Sequence, residues 1–498
     1  MFISELTKYL SLSFIVLLGV FYAKLFYVNR RQLKFAWHNN GFFLPILPIL
    51  GSTYVSIFAK RRNVLAIANW CFKYIGGPLN FWNGHIYCYA TNNAEELKII
   101  MNHPKCLNKG KVYIDVERIL GVNSLAFALS DTWRGRRRHF LKNFKTGILK
   151  TYIETYYKCS IKLVDDLKKL NGDVTSPKLL NTYVFKAFSE TSLGISEQEC
   201  QGEIMEFGKL RLKIEEAITS KLLLPFLPFS WWSYCFPLGR KYKEYYDRIK
   251  IIVERIVREK KIKIAQDLDY IENSTELPLL DLILSYNNKI SSEEEICQEI
   301  ILFGSASNET SSLVLFLGLT LLGVYQDIQE NVYNEVMTEI GDNDITSQNV
   351  GFLKYTEAVI SEILRLLPPL PLISRKTGAD IDIGTKIVPK GTDILVPLYQ
   401  LHRNPKYWEN PEKFDPTRFL PENINKIVPY SYMPFSAGPR DCIGKHQAMA
   451  LLKITYANVI RNFRIRSTHT SIQDFDLCSA ITLYPNKHLD LRFELRQN

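Results

Sequence analysis

The sequence has no C-x-x-C pair, no internal repeat, no Gly-, Ser- or Pro-rich linker beyond residue 51, and no long arginine or lysine tract. Each absence removes something. The nine cysteines, Cys71, Cys88, Cys106, Cys159, Cys200, Cys235, Cys297, Cys442 and Cys478, are odd in number and far apart. That is neither zinc spacing nor a disulfide framework, and it suits a reducing compartment. The net charge of +11 comes from basic residues dispersed along the chain. No nucleic-acid motif accompanies it, so no nucleic acid is expected as partner, and an anionic membrane or an acidic protein accounts for the balance. A chain of 498 residues, 46% hydrophobic and 12% aromatic, buries a large core, which rules out global disorder and a small disulfide scaffold.

What is present begins with an apolar run. Residues 9–28 carry Lys24 as their only charge, and at 1.5 Å per residue such a run spans about 30 Å, the thickness of a bilayer core. Arg30, Arg31 and Lys34 follow it, against only Glu5 and Lys8 before it, so the positive-inside rule leaves the C-terminal bulk in the cytosol. No small-x-small site follows the run, which favours an uncleaved anchor over a signal peptide. Pro45, Pro48 and Gly51 then stop helix continuation. They fit a stiffened exit from the membrane or an ordinary loop. The expected division is an N-terminal membrane anchor at 1–28, a basic, proline-containing linker at 29–51, and one folded domain at 52–498.

Within that domain, apolar spacing predicts helices over residues 151–170 and 245–263. In the second, Ile249, Ile252, Val253, Ile256 and Val257 share one face amid charges, as on a surface helix. Between them, residues 222–236 set Pro225 and Pro228 among Phe, Leu and Trp, equally suited to the membrane interface or to a buried loop. Residues 299–323 read as a long apolar helix interrupted by a polar cluster from Ser305 to Ser312, costly unless those groups are paired or used. Residues 381–387 read as a strand, then a turn, then an extended run at 394–398. The expected fold class is mainly α with small β-sheets (α+β), preceded by one transmembrane helix.

The decisive stretch is Phe435, Gly438, Arg440, Cys442 and Gly444. Glycines around a cysteine let backbone approach something bulky, and a cation two residues away favours thiolate over thiol. A thiolate in such a loop suits an iron ligand, although a glycine turn around a structural cysteine has the same composition. The pattern F-x-x-G-x-R-x-C-x-G resembles the haem-binding loop of the cytochrome P-450 monooxygenases. Five such positions arise by chance in about one in ten thousand chains of this length, which makes the resemblance specific.

The resemblance extends along the chain. Glu362 and Arg365 match the family's E-x-x-R, and Arg418 the arginine that completes a structural triad with them. Trp133 and Arg137 match W-x-x-x-R, and with Arg375 and Arg440 the resemblance implies contacts to haem propionates. Beside Arg137, the basic residues Arg134, Arg136, Arg138 and Lys142 read as a solvated face, which in this family docks the electron donor. Residues 306–311 match A-G-x-[DE]-T-[ST], implying Glu309 and Thr310 as proton relay, with Ser307 in place of the usual glycine.

Residues 388–423 and 434–444 are most similar to the family-four microsomal clan. Some members of that clan join haem through a glutamate where this chain has Ala306, so no covalent ester is expected. The fold implied is the cytochrome P-450 fold over 52–498, with haem b ligated by Cys442. Dioxygen and NADPH-derived electrons would be co-substrates, supplied through a flavoprotein reductase, with a microsomal b-type cytochrome as a second donor. The implied reaction inserts one oxygen atom into a lipophilic fatty acid, hormone- or sterol-like lipid, or xenobiotic. The implied location is the cytosolic face of the endoplasmic reticulum membrane. Substrate contacts carried over by position are Leu125, Phe127, Phe303, Leu370, Leu372, Ala480 and Ile481. Alternatives are a haem-thiolate isomerase or dehydratase acting on lipid peroxides, a haem protein without turnover, and an anchored interaction protein without haem.

Overall fold

The computed structural model describes residues 2–39, 42–43, 51–52, 64–170, 177–196, 202–222, 227–266, 277–285, 292–479 and 481–496. Pro45, Pro48, Pro225 and Ala480 lie outside them.

The architecture is mainly helical, built around one helix. Glu293–Val324, 32 residues long, is capped by Ser292, whose side chain accepts from the Glu295 N–H; three acidic residues in its first turn complement the dipole. Its C-terminal half, including Leu315, Leu317, Leu319 and Leu321, packs against the helices Pro177–Phe188, Lys354–Leu366 and Lys445–Asn462, with Thr146–Lys168 behind the first and last of these in the same core. A second apolar cluster packs on its N-terminal half and draws on Glu203–Leu222 and Pro237–Gln266. The helix runs unbroken through the polar cluster at residues 305–312. Ser307 and Thr310 each donate back to the preceding turn, to the carbonyls of Phe303 and Ala306, at 2.8 and 2.7 Å. These two hydroxyls are satisfied without breaking the ladder.

The helix expected at 151–170 is Thr146–Lys168, and that at 245–263 is the longer Pro237–Gln266 with Ile249, Ile252, Val253, Ile256 and Val257 buried. Ile381–Asp382 and Ile387–Val388 form a two-stranded hairpin where the alternation suggested one strand, because Gly384 turns the chain at φ 86°.

The main sheet sets Phe42–Phe43, Leu79–Asn83, Ile86–Ala90, Asp393–Val396 and Ile373–Lys376 side by side in that order. Its last pair is antiparallel, with Arg375 opposite Ile394, which delivers Arg375 to the site. At the other end of the chain, Phe2–Val28 is a helix, and its portion Leu12–Val28 meets the helix Arg30–His38 at a bend of 70°. By length and composition this bent pair is apolar enough for a broken membrane span or a re-entrant loop, and the central helix passes the same test but is mostly buried as a core helix.

Candidate active site

Cys442 sits in the loop before helix Lys445–Asn462. The loop is closed by its own backbone: Cys442 N–H donates to the Phe435 carbonyl at 2.9 Å, and Ser436 N–H to the Met433 carbonyl at 2.9 Å. Ser436 and Gly438 both adopt left-handed backbone, φ 63° and 72°. At Gly438 a Cβ would meet the Met101 carbonyl oxygen at 2.1 Å, so both the conformation and the space require glycine. Burial raises the Cys442 thiol, while the Gly444 N–H, Arg137 and Lys109 favour the thiolate. Arg440, expected to exert that pull, is aimed elsewhere. Its guanidinium lies 4.4 Å over the Trp133 ring and donates to the carbonyls of Leu125, Ala126 and Ala128.

The Cys442 side opens on a cavity with about 1670 Å³ of atom-free space, counting what opens to solvent. One wall is the central helix at Phe303, Ala306, Ser307, Thr310 and Ser311, and the opposite wall carries Phe435, Cys442 and Gly444. Three cations reach it: Lys109, Arg137 and Arg440, together with Trp133. Arg375 lies behind this wall, fully buried, donating to the Ser436 hydroxyl at 3.1 Å. Burial pulls Arg375 down to about 10, Arg440 to about 9, and Lys109 well below its ordinary value. Arg137 pairs with Asp441. Among the described residues no carboxylate pairs with Lys109, Arg375 or Arg440, and the Nε atoms of both arginines are without partners. Unpaired buried cations are costly. The wall therefore fits a flat, mostly apolar group with an anionic edge. Lys109 carried no signal in the sequence, since an isolated lysine is ordinarily solvated.

The relay pair is divided. Thr310 lines the cavity, but the Glu309 carboxylate is held elsewhere, accepting from the Thr482 hydroxyl at 2.6 Å with Arg211 at 4.0 Å. Burial raises Glu309, and Arg211 and Thr482 oppose it.

Of the substrate positions, Leu125, Phe303 and Leu370 line the cavity. Phe127 packs on Tyr113 instead, the Leu372 side chain is exposed, Ile481 packs at the rim of the second core, and Ala480 is outside the described residues. Phe144, Phe188 and Thr191 also line the cavity. They lie outside the motifs, and only the fold brings them there.

Arg136 departs from the solvated face expected for it. It is 2% exposed and bonds Glu299 and Glu295 at 2.9 and 2.8 Å, whereas Arg134 and Arg138 are exposed.

Away from the cavity, Glu362 and Arg365 are both 0% exposed. Arg365 Nε and Nη2 donate to the two carboxylate oxygens at 2.7 and 2.8 Å, and its remaining donors reach the carbonyls of His402, Pro411 and Lys413. Arg418 Nε stands 3.6 Å from Glu362, and the Asp415 N–H adds a bond at 2.8 Å.

Comparison with known proteins agrees with this arrangement. The chain is 28% identical over 466 residues to human "Cytochrome P450 4V2", covering 90% of this chain and 88% of that protein. It is 26% identical over 460 residues, with the same coverage, to "Probable cytochrome P450 4ac1" of Drosophila melanogaster. "Cytochrome P450 4g1" of the same fly is 28% identical over 508 residues, 91% and 88% of the two chains. The cytochrome P450 family matches residues 44–492. A cysteine loop opening on a cation-rimmed apolar cavity, in a chain matched over nearly all its folded length, places this protein in the cytochrome P450 family as a P450 monooxygenase.

Proposed function

We propose that the chain is a membrane-anchored monooxygenase in which Cys442 is the axial thiolate to haem b, acting on a lipophilic substrate. The observation that carries this reading is the cavity itself, with Cys442 the only cysteine lining it among the described residues, apolar side chains on most of the rest, and cations among its lining. Arg440, Arg137, Lys109 and Trp133 would hold the two propionates, with Arg375 supporting them through Ser436. The loop of Phe435, Gly438 and Gly444 shapes the thiolate side. Haem, when bound, supplies activation of dioxygen. The chain excludes water with Phe303, Leu125 and Leu370, orients the substrate against the central helix, and holds a proton-donating hydroxyl at Thr310 Oγ1. Glu309, the adjacent residue, would act as the acid of the relay only after its carboxylate leaves Thr482 and Arg211 and turns toward Thr310. Ala306 lines the cavity without a carboxylate, so haem is held without an ester.

The apolar walls suit a fatty acid, a hormone- or sterol-like lipid, or a xenobiotic. Electrons come from NADPH through a flavoprotein reductase docked on the exposed Arg134, Arg138 and Lys142, with a microsomal b-type cytochrome as second donor. Residues 1–28 anchor the chain in the endoplasmic reticulum membrane, 29–51 link it, and 52–498 form the cytosolic catalytic domain. Exposed Tyr9, Phe14, Leu17 and Tyr27 on the first helix support the anchor, as do exposed Trp231 and Tyr234 for a second membrane contact. The test is reconstitution with reductase, NADPH and a panel of lipids under ¹⁸O-labelled dioxygen. A product carrying one labelled atom is expected. Turnover of a lipid peroxide without NADPH, and no labelled product from any lipid, would contradict the reading.

A further inference from the structure

The segment 121–129, which supplies Leu125 and Ala126 to the cavity, is fastened at alternate residues to one turn of the central helix. Gly121 has φ +93°, and a Cβ there would stand 2.6 Å from Gln298 Oε1 and 2.7 Å from Gln298 Cβ. Glycine lets the segment approach that closely. Asn123 Nδ2 donates to Glu295 Oε1 at 2.9 Å, and the Leu125 N–H donates to Glu299 Oε2 at 3.1 Å. Glu295, Gln298 and Glu299 are spaced i, i+3, i+4 and share one helix face.

Arg136 locks the arrangement. It donates to Glu299 Oε1 at 2.9 Å, to Glu295 Oε2 at 2.8 Å, and to the Asn123 carbonyl. Its side chain is 3% exposed and that of Glu299 0%. From the other side Arg440 collects the carbonyls of Leu125, Ala126 and Ala128. The segment is thus stretched between an acidic helix turn and a cation of the cavity wall.

We propose that Glu299 is the positioning residue for this cavity-facing segment: through Arg136 and the Leu125 amide it holds Leu125 and Ala126 in place and sets how readily small molecules pass to the metal side. The inference rests on the haem reading above. A buried pair with a purely structural role would change stability alone. This one would change access while the metal site stays intact.

The test uses the full chain in lipid nanodiscs, with carbon monoxide and 4-phenylimidazole as probes. Glu299→Ala is expected to retain the thiolate carbon monoxide band. Its 4-phenylimidazole association and carbon monoxide rebinding after photolysis should be at least about tenfold faster, because the bonds Glu299 accepts from Arg136 and from the Leu125 N–H are both lost. Glu299→Gln, which still accepts from the Leu125 N–H, should recover most of the wild-type rate. If Glu299→Ala does not retain haem, Asn123→Ala removes only the outer tie and should accelerate both rates by about twofold to fivefold. Rates equal to wild type in the variant that keeps its band would overturn the proposal alone. A folded wild type without the band would overturn the haem reading and this inference together.

Discussion

Two sets of buried arginines in this chain behave oppositely. Around Glu362, the Arg365 charge is neutralised and its donors are spent on a carboxylate and three carbonyls. Around the cavity, Arg375 and Arg440 are buried and Lys109 is half-buried, all three without a carboxylate among the described residues. The first set is complete within the polypeptide, so it serves the fold. The second is complete only with an anion, so it serves a ligand. Burial alone does not separate structure from function, but the partner count does.

The sharpest way to break this contrast is at Glu362. Glu362→Ala leaves Arg365 buried and uncompensated, which costs about 3–5 kcal/mol and should abolish folding, read as loss of both the denaturant unfolding transition and haem uptake. A folded, haem-loaded variant would erase the distinction. Next, Arg375→Met should leave the far-ultraviolet circular dichroism and unfolding midpoint near wild type. Its haem should pass to a scavenger protein roughly 10–100-fold faster, as expected on losing a charged contact. Thr310→Ala tests the apolar side of the same cavity: reductant consumed per product should rise while the carbon monoxide band is unchanged, and unchanged coupling would remove Thr310 Oγ1 from the proton path.

The smallest effect concerns His402. It is 0% exposed and accepts from the Met433 N–H, and burial beside Arg365 and Arg403 pulls it down to about 3. Below pH 6.5 the unfolded chain binds a proton at this histidine that the folded chain refuses until about pH 3. Its contribution to stability is therefore lost as pH falls through that window. His402→Gln should flatten the acid side of an unfolding-midpoint profile taken from pH 7 to pH 4, and an unaltered slope would show that another group governs it.

The contrast also explains what could be read from the chain beforehand. The loop at Cys442 and the Glu362–Arg365 spacing are local patterns, legible because turn geometry and helix spacing are written in adjacent residues. The long apolar helices were legible for the same reason. The place of Lys109 on the cavity wall, the inward turn of Arg136 and the diversion of Glu309 to Arg211 and Thr482 were not, since each depends on segments far away in sequence. Arg136 shows the limit well. Its neighbours Arg134 and Arg138 are exposed, and only the acidic turn of the central helix draws Arg136 inward.

The central claim is that Cys442 holds haem iron as a thiolate. Its most direct test is the reduced carbon monoxide difference spectrum of the membrane-bound chain beside Cys442→Ala. The account predicts the strongly red-shifted band of thiolate-ligated haem in the wild type and its loss in the variant. A well-folded wild type without that band, or a variant that keeps it, would contradict the account.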